Sequence, residues 1–154
     1  MKTTNTNTEN LVSEIEISYK SKKKVSEMKR ATTSKECAEI LRSVWSNKME
    51  LCEEFVILLL NRNNKVLGWV KISQGGLSGT VVDPKIVFSV ALKAMASGVL
   101  LCHNHPSGNL RPSSQDIALT KQLKEAGKLL DIAILDHIIL TNESYYSFSD
   151  EQMM

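Results

Sequence analysis

Residues 53–60, EEFVILLL, are almost unbroken apolar sequence, and the run is short for a helix. It predicts a strand covered on both faces. Asn61-Arg62-Asn63-Asn64 then supplies turn chemistry, and KVLGWVKIS, residues 65–73, predicts the second strand of a central hairpin. Two further buried runs predict strands, VLLC at 99–102 and DIAILDHIIL at 131–140, followed by a short SYYSF segment at 144–148. LVSEIEISY, residues 11–19, predicts an edge strand, and the Thr-, Asn- and Glu-rich residues 1–10 have almost nothing to bury and predict a disordered tail.

The helical period appears three times. In TTSKECAEILRSVW, residues 32–45, Thr33 and Glu36 form a capping box, and Cys37, Ile40, Leu41, Val44 and Trp45 share a face. Asp83-Pro84 starts a second helix carrying Ile86, Val87, Val90, Ala91, Ala94 and Met95 at helical spacing, with Gly98 as its terminator. A third runs from Ser114 to about Ala126 and ends near Gly127. Helices alternating with buried strands predict an α/β fold, with helices layered on a sheet that the hairpin makes mixed rather than wholly parallel. Residues 11–154 read as one domain, a length that can bury a core without disulfides.

Composition narrows the function classes. Cys37, Cys52 and Cys102 form no CxxC pair and no dense framework, which fits a reducing compartment. No stretch has the roughly 18 apolar residues of a membrane span, and MKTTNTNTEN lacks a signal-peptide core, so the expectation is a cytoplasmic protein without membrane association. The net charge of +2 is too small to argue for nucleic acid by itself. The positive residues do gather in KSKKKVSEMKR, from Lys20 to Arg30, which reads as a solvated segment or a phosphate-binding patch; no aromatic interleaves it to stack bases. QGGLSGT, residues 74–80, is neither GxGxxG nor a P-loop and is assigned no phosphate.

The chemistry concentrates in HNHPSGNLRPSSQD, residues 103–116. Along a strand, positions i and i+2 share a face with Cα atoms roughly 6.5–7 Å apart, so His103 and His105 can converge on one ion. Pro106 cannot continue a ladder, Ser107-Gly108 turns the chain, and Asp116 arrives in the first turn of the next helix. Two imidazoles and a carboxylate leave a tetrahedral ion one position short, the pattern of a catalytic zinc rather than a closed structural one. Ser113 and Asp116 also read as an N-cap and its partner, and capping does not exclude ligation. Hydrolysis at such a site needs a carboxylate to move protons. Glu53 and Glu54 are the candidates, and as neighbours in a strand they point to opposite faces, so at most one reaches the ion.

At these residues the chain resembles the RadC-like family, within the JAMM (MPN+) metallopeptidase-like superfamily. The superfamily pattern of a glutamate, HxH, seven residues and SxxD is matched by Glu53, His103-Asn104-His105 and Ser113-Ser114-Gln115-Asp116. RadC-like features continue through EEF at 53–55, HNHPSGN at 103–109, PSSQD at 112–116 and LDHII at 135–139, covering about residues 25–150. The resemblance implies a three-layer αβα, cytidine-deaminase-like fold, Zn2+ held by His103, His105 and Asp116, Glu53 as general acid/base and Ser113 stabilising the oxyanion. It favours Glu53 over Glu54 because the family glutamate precedes x-Phe. The deaminase signature, HxE with a later PCxxC, is absent, and HNH here is consecutive, unlike the dispersed residues of an HNH nuclease.

Longer RadC-like proteins carry an N-terminal helix-hairpin-helix region for which these residues leave no room, which lowers the weight of direct DNA binding. The leading expectation is a zinc-dependent amide or isopeptide hydrolase acting on a peptide or protein. The alternatives are a DNA-associated accessory protein in repair or plasmid maintenance, and a metal-free scaffold. Homo-oligomerisation is left open. His137 is expected as a satisfied core histidine rather than the alternative, a hydrogen-bond partner of the zinc ligands, Cys102 as a small buried residue pointing away from the site, and Trp45 and Trp69 as core or interface. Thr80 and the glycine loop are expected to border a groove where an extended peptide could pair with a sheet edge.

Overall fold

The alternation of apolar residues along two central strands sets the architecture. In the computed structural model, which describes residues 12–154 except 14, 15, 17, 77 and 78, β1 (Glu54–Leu60) and β3 (Gly98–Asn104) are buried along their whole length. The sheet has five strands in the order β2 (Val66–Gln74), β1, β3, β4 (Ala133–Leu140), β5 (Tyr145–Ser147). β3 and β4 are parallel, and the other pairs are antiparallel, so the sheet is mixed.

Both faces are covered. Val56, Leu58 and Leu60 of β1 and Leu100 and Cys102 of β3 pack with Cys37, Ala38, Ile40 and Leu41 of α1 (Ser34–Val44). The alternate residues Phe55, Ile57 and Leu59, with Val99 and Leu101, pack against Val87, Phe88 and Ala91 of α2 (Pro84–Lys93) and Leu123 of α3 (Ser114–Leu129). Burying each such Leu or Ile side chain is worth about 1.5–3 kcal/mol, which is why a one-residue slip of either strand would be so costly. The result is an α/β fold with helices on both faces of the mixed sheet.

The predicted caps are present. Thr33 accepts from the Glu36 amide while Glu36 accepts from that of Thr33, and Asp83 accepts from the Lys85 amide at 2.9 Å. Two helix ends differ from expectation. α2 stops at Lys93, where Met95 takes a left-handed φ of 53° and the Ala96 amide donates back to Ala91 O. α3 runs through Gly127 to Leu129 and ends in the same motif, with Asp131 left-handed at 54° and the Ile132 amide donating to Gly127 O. Neither glycine supplies the left-handed residue. Gly98 opens β3, and Gly127 admits a close approach, since a Cβ there would lie 2.4 Å from Ile132 O.

The tail expected over residues 1–10 lies outside the described residues. So do parts of the expected edge strand at 11–19, whose described residues adopt no strand; Tyr19 there donates its hydroxyl to Leu67 O. Among the described residues, no helix is long and apolar enough to cross a membrane.

What this topology does for function is local. α3 is the crossover between parallel strands β3 and β4, so the carboxyl end of β3 and the amino end of α3 meet at one edge of the sheet. Such edges are where α/β sheets assemble their chemistry.

Candidate metal centre

β3 ends by turning two imidazoles toward one point. Strand alternation puts Cys102 on the α1 side, as expected, and His103 on the other, where it is buried and stacked on Phe55 with ring planes 7° apart. His105 lies just past the strand, but its amide still donates to Leu140 O, so β4 holds it in line. The Nε2 atoms of the two rings are 3.0 Å apart. Beyond them the chain turns at Gly108, whose φ of 79° suits glycine, and the Asn109 carbonyl returns to accept from His105 Nδ1 at 2.5 Å.

Asp116 comes from the first turn of α3. The predicted capping box is present: Ser113 Oγ accepts from the Asp116 amide at 3.1 Å, and Asp116 Oδ2 accepts from the Ser113 amide at 2.7 Å. Ser113 also donates its hydroxyl to Asp116 Oδ2 at 2.7 Å. The cap fixes the carboxylate, placing Oδ1 3.3 Å from His103 Nε2 and Oδ2 3.8 Å from His105 Nε2. The cap therefore leaves the Asp116 carboxylate beside both imidazoles, so capping does not exclude ligation.

This donor set suits a divalent cation. The candidate ligand atoms of His103, His105 and Asp116 all lie within 4.8 Å of one another, and this residue group could hold a metal ion. The Asn109 carbonyl has no proton, so neutral His105 carries its hydrogen on Nδ1 and presents a bare Nε2 to His103. With His103 also bare at Nε2, the two lone pairs would face each other at 3.0 Å beside a carboxylate, an arrangement that a cation between them stabilises. The hydrogen bond to Asp116 raises the pKa of His105, against the effect of burial. Burial alone would raise Asp116, but hydrogen bonds from His103 and His105 outweigh it and hold its carboxyl far below the usual range.

The adjacent glutamates separate. Glu54, the first residue of β1, is fully buried, with its carboxylate engaged by Lys71 Nζ and, at 2.6 Å, by Ser46 Oγ. Glu53 is half-buried. Its carboxyl is pushed up by burial, pulled down by the charges of His103 and His105, and pushed up by that of Asp116. Glu53 thus shares the field of the cluster, whereas Glu54 is committed elsewhere. The Glu53 main chain is held by Gly75 and Gly76, at 2.8 and 3.3 Å.

Three residues outside the expected set also support the site. Asn104, between the two histidines and fully buried, donates to Met49 O and Cys52 O at 2.7 and 2.9 Å and accepts from the Glu54 amide at 2.7 Å. One side chain so ties the segment leading to Glu53 onto the strand bearing the histidines. His137, expected as a core residue ahead of the alternative of a partner to the ligand histidines, lies with Nε2 2.8 Å from His103 Nδ1, and Thr120 Oγ1 lies 2.6 Å from His137 Nδ1. The signal for His137 was a polar residue inside an apolar strand; its meaning required the register that pairs β4 with β3.

Comparison with known proteins agrees with this geometry. Residues 31–153 match the family model described as the RadC-like JAB domain. A Flavobacterium johnsoniae protein named "UPF0758 protein" is 46% identical over 124 residues, 80% of this chain and 53% of that protein. Relatives of the same name come from Alkaliphilus metalliredigens, 49% identical over 66% of this chain and 44% of its own length, and Clostridium perfringens, 36% identical over 85% and 58%. The chain spans about half the length of these curated relatives. By a family match across most of its described length, the chain belongs to the RadC-like JAB domain family.

Proposed function

We propose that the protein is a zinc-dependent hydrolase that cleaves an amide or isopeptide bond in a peptide or protein. The observation that carries this reading is the convergence of His103 Nε2, His105 Nε2 and an Asp116 carboxylate oxygen, with the half-buried Glu53 in the same field. Bound in this set, zinc would polarise a substrate carbonyl and bring the pKa of a water to about 7.

The chain's residues divide the remaining work. Glu53 takes a proton from the attacking water and delivers it to the departing nitrogen, a role helped by the burial that raises its carboxyl. Ser113, exposed at the rim, donates to the developing oxyanion when its hydroxyl turns from Asp116 Oδ2. Zinc-loaded protein tested on amide-linked peptides and isopeptide-linked proteins should cleave one of them, and Glu53→Gln should reduce that turnover by at least about a hundredfold. Unchanged turnover in Glu53→Gln would remove Glu53 from the mechanism.

A second reading, association with nucleic acid, has one favouring observation. A groove of about 580 Å³ gathers Lys20, Lys22, Lys23 and Lys29 with Tyr19 and Trp69, and among the described residues no carboxylate lines it. Trp69 is 44% exposed, enough to offer a ring face. A labelled single-stranded oligonucleotide should bind with an affinity that falls steeply with salt and is lost in Lys22→Glu/Lys23→Glu. Equal binding by that variant would exclude the groove.

A further inference from the structure

Behind the ligand His103 lies a hydrogen-bonded chain whose direction can be read from its far end. His103 Nδ1 is 2.8 Å from His137 Nε2, His137 Nδ1 is 2.6 Å from Thr120 Oγ1, and Thr120 Oγ1 is 2.6 Å from the main-chain oxygen of Asp116. His103, Thr120 and His137 are at most 3% exposed, which leaves no bulk solvent to supply other partners.

The Asp116 carbonyl carries no proton, so the hydrogen between it and Thr120 is the hydroxyl's own. Thr120 Oγ1 must therefore accept from His137 Nδ1–H. His137 is fully buried and its ring bonds only the His103 imidazole and the Thr120 hydroxyl, with no carboxylate to pair a charge, so it is neutral and Nε2 is then bare. His103 accordingly donates its Nδ1–H to His137. A neutral imidazole has one N–H, so the lone pair of His103 falls on Nε2, the atom facing His105 and Asp116. The reverse arrangement would leave Thr120 Oγ1 and Asp116 O 2.6 Å apart with no hydrogen between them.

We propose that Thr120 and His137 are positioning residues that fix the tautomer of His103, and that this relay makes Nε2 its metal-ligating nitrogen. The proposal rests on the reading of His103, His105 and Asp116 as a metal centre. It gives the Asp116 helix a second function, because Thr120 stands one turn further along α3 and returns its bond to the Asp116 main chain. The ligands from β3 and α3 are thus locked together through β4.

Two readouts test the relay without a substrate. Long-range proton–nitrogen correlation spectra of zinc-free protein in mildly alkaline buffer should show both His103 and His137 as Nδ1–H tautomers. Zinc affinity, measured by competition with a chromophoric chelator, should fall about 10–100-fold in His137→Phe and by about the lower end of that range in the near-isosteric Thr120→Val. His137→Gln, whose Oε1 can accept from His103 Nδ1–H, should recover much of the loss. If His137→Phe fails to fold, Thr120→Val and the wild-type spectra still decide. An Nε2–H tautomer at His103, or Thr120→Val affinity within about twofold of wild type, would overturn the relay. Wild-type protein that takes up no zinc would instead sink the metal reading, and the zinc-free spectra would still judge the hydrogen-bond direction.

Discussion

Glu53 and Glu54 are consecutive, yet their carboxylates belong to different environments: Glu54 is held by Lys71 and Ser46, while Glu53 feels the charges of His103, His105 and Asp116. The division follows from strand alternation at the start of β1, where Phe55 joins the α2–α3 face and Val56 the α1 face. It separates the two residues: the proposed proton transfer falls to Glu53, and holding the strand's entry falls to Glu54.

Replacing Glu54 should therefore damage stability before chemistry. Glu54→Ala removes the buried carboxylate that holds Lys71 and Ser46 and should lower the unfolding free energy by about 1–2 kcal/mol in urea titrations, since Lys71, 36% exposed, can turn to water. Glu53→Gln should shift it by less than about 1 kcal/mol, because Glu53 is half-buried and among the described residues its side chain makes no hydrogen bond. Equal losses in the two variants would contradict the division.

Asn104 should control the segment that carries Glu53. Asn104→Ala removes two bonds donated to Met49 O and Cys52 O and one accepted from the Glu54 amide. The expected cost is about 2–4 kcal/mol, with faster amide exchange concentrated in residues 49–54. Exchange that rises evenly across β3 and β4 would show that Asn104 supports the sheet generally instead.

Gly127 gives a test in which helix propensity and packing predict opposite signs. Alanine is favoured over glycine in a helix interior by about 1 kcal/mol. Here the added Cβ would stand 2.4 Å from Ile132 O, a backbone atom, so Gly127→Ala should be destabilising by about 1–3 kcal/mol. A stabilised variant would show that the turn after α3 yields easily.

Stability at alkaline pH should carry the signature of Cys37. Burial, with smaller contributions from the charges of Asp136 and Glu36, pushes its thiol from an ordinary 9.0 up to about 12. A raised folded-state value means the contribution is complete below the unfolded value and is lost as pH climbs through this window. The stability advantage of wild type over Cys37→Ala should thus shrink between about pH 9 and about pH 12. A constant difference would place the thiol in contact with water.

Much of this molecule was legible because its signals are local. Thr33-Glu36, Asp83-Pro84 and Ser113-Asp116 announce helix starts through side chains that bond within a few residues. The apolar runs of β1 and β3 announce burial on both faces. Helix ends were harder, since Met95 and Asp131 take the left-handed position that glycine usually fills. Long-range pairing was hardest: nothing near His137 in sequence says that β4 lies parallel to β3 with Leu101 opposite His137. The same holds for Asn104, whose partners lie about 50 residues away.

The central claim is that His103, His105 and Asp116 form one metal centre, and metal stoichiometry tests it most directly. Purified protein incubated with zinc, dialysed and analysed by inductively coupled plasma mass spectrometry should retain about one zinc per chain. His103→Ala, His105→Ala and Asp116→Ala, each checked for folding by circular dichroism, should retain almost none. Wild-type protein without zinc, or folded variants that hold as much as wild type, would contradict the account.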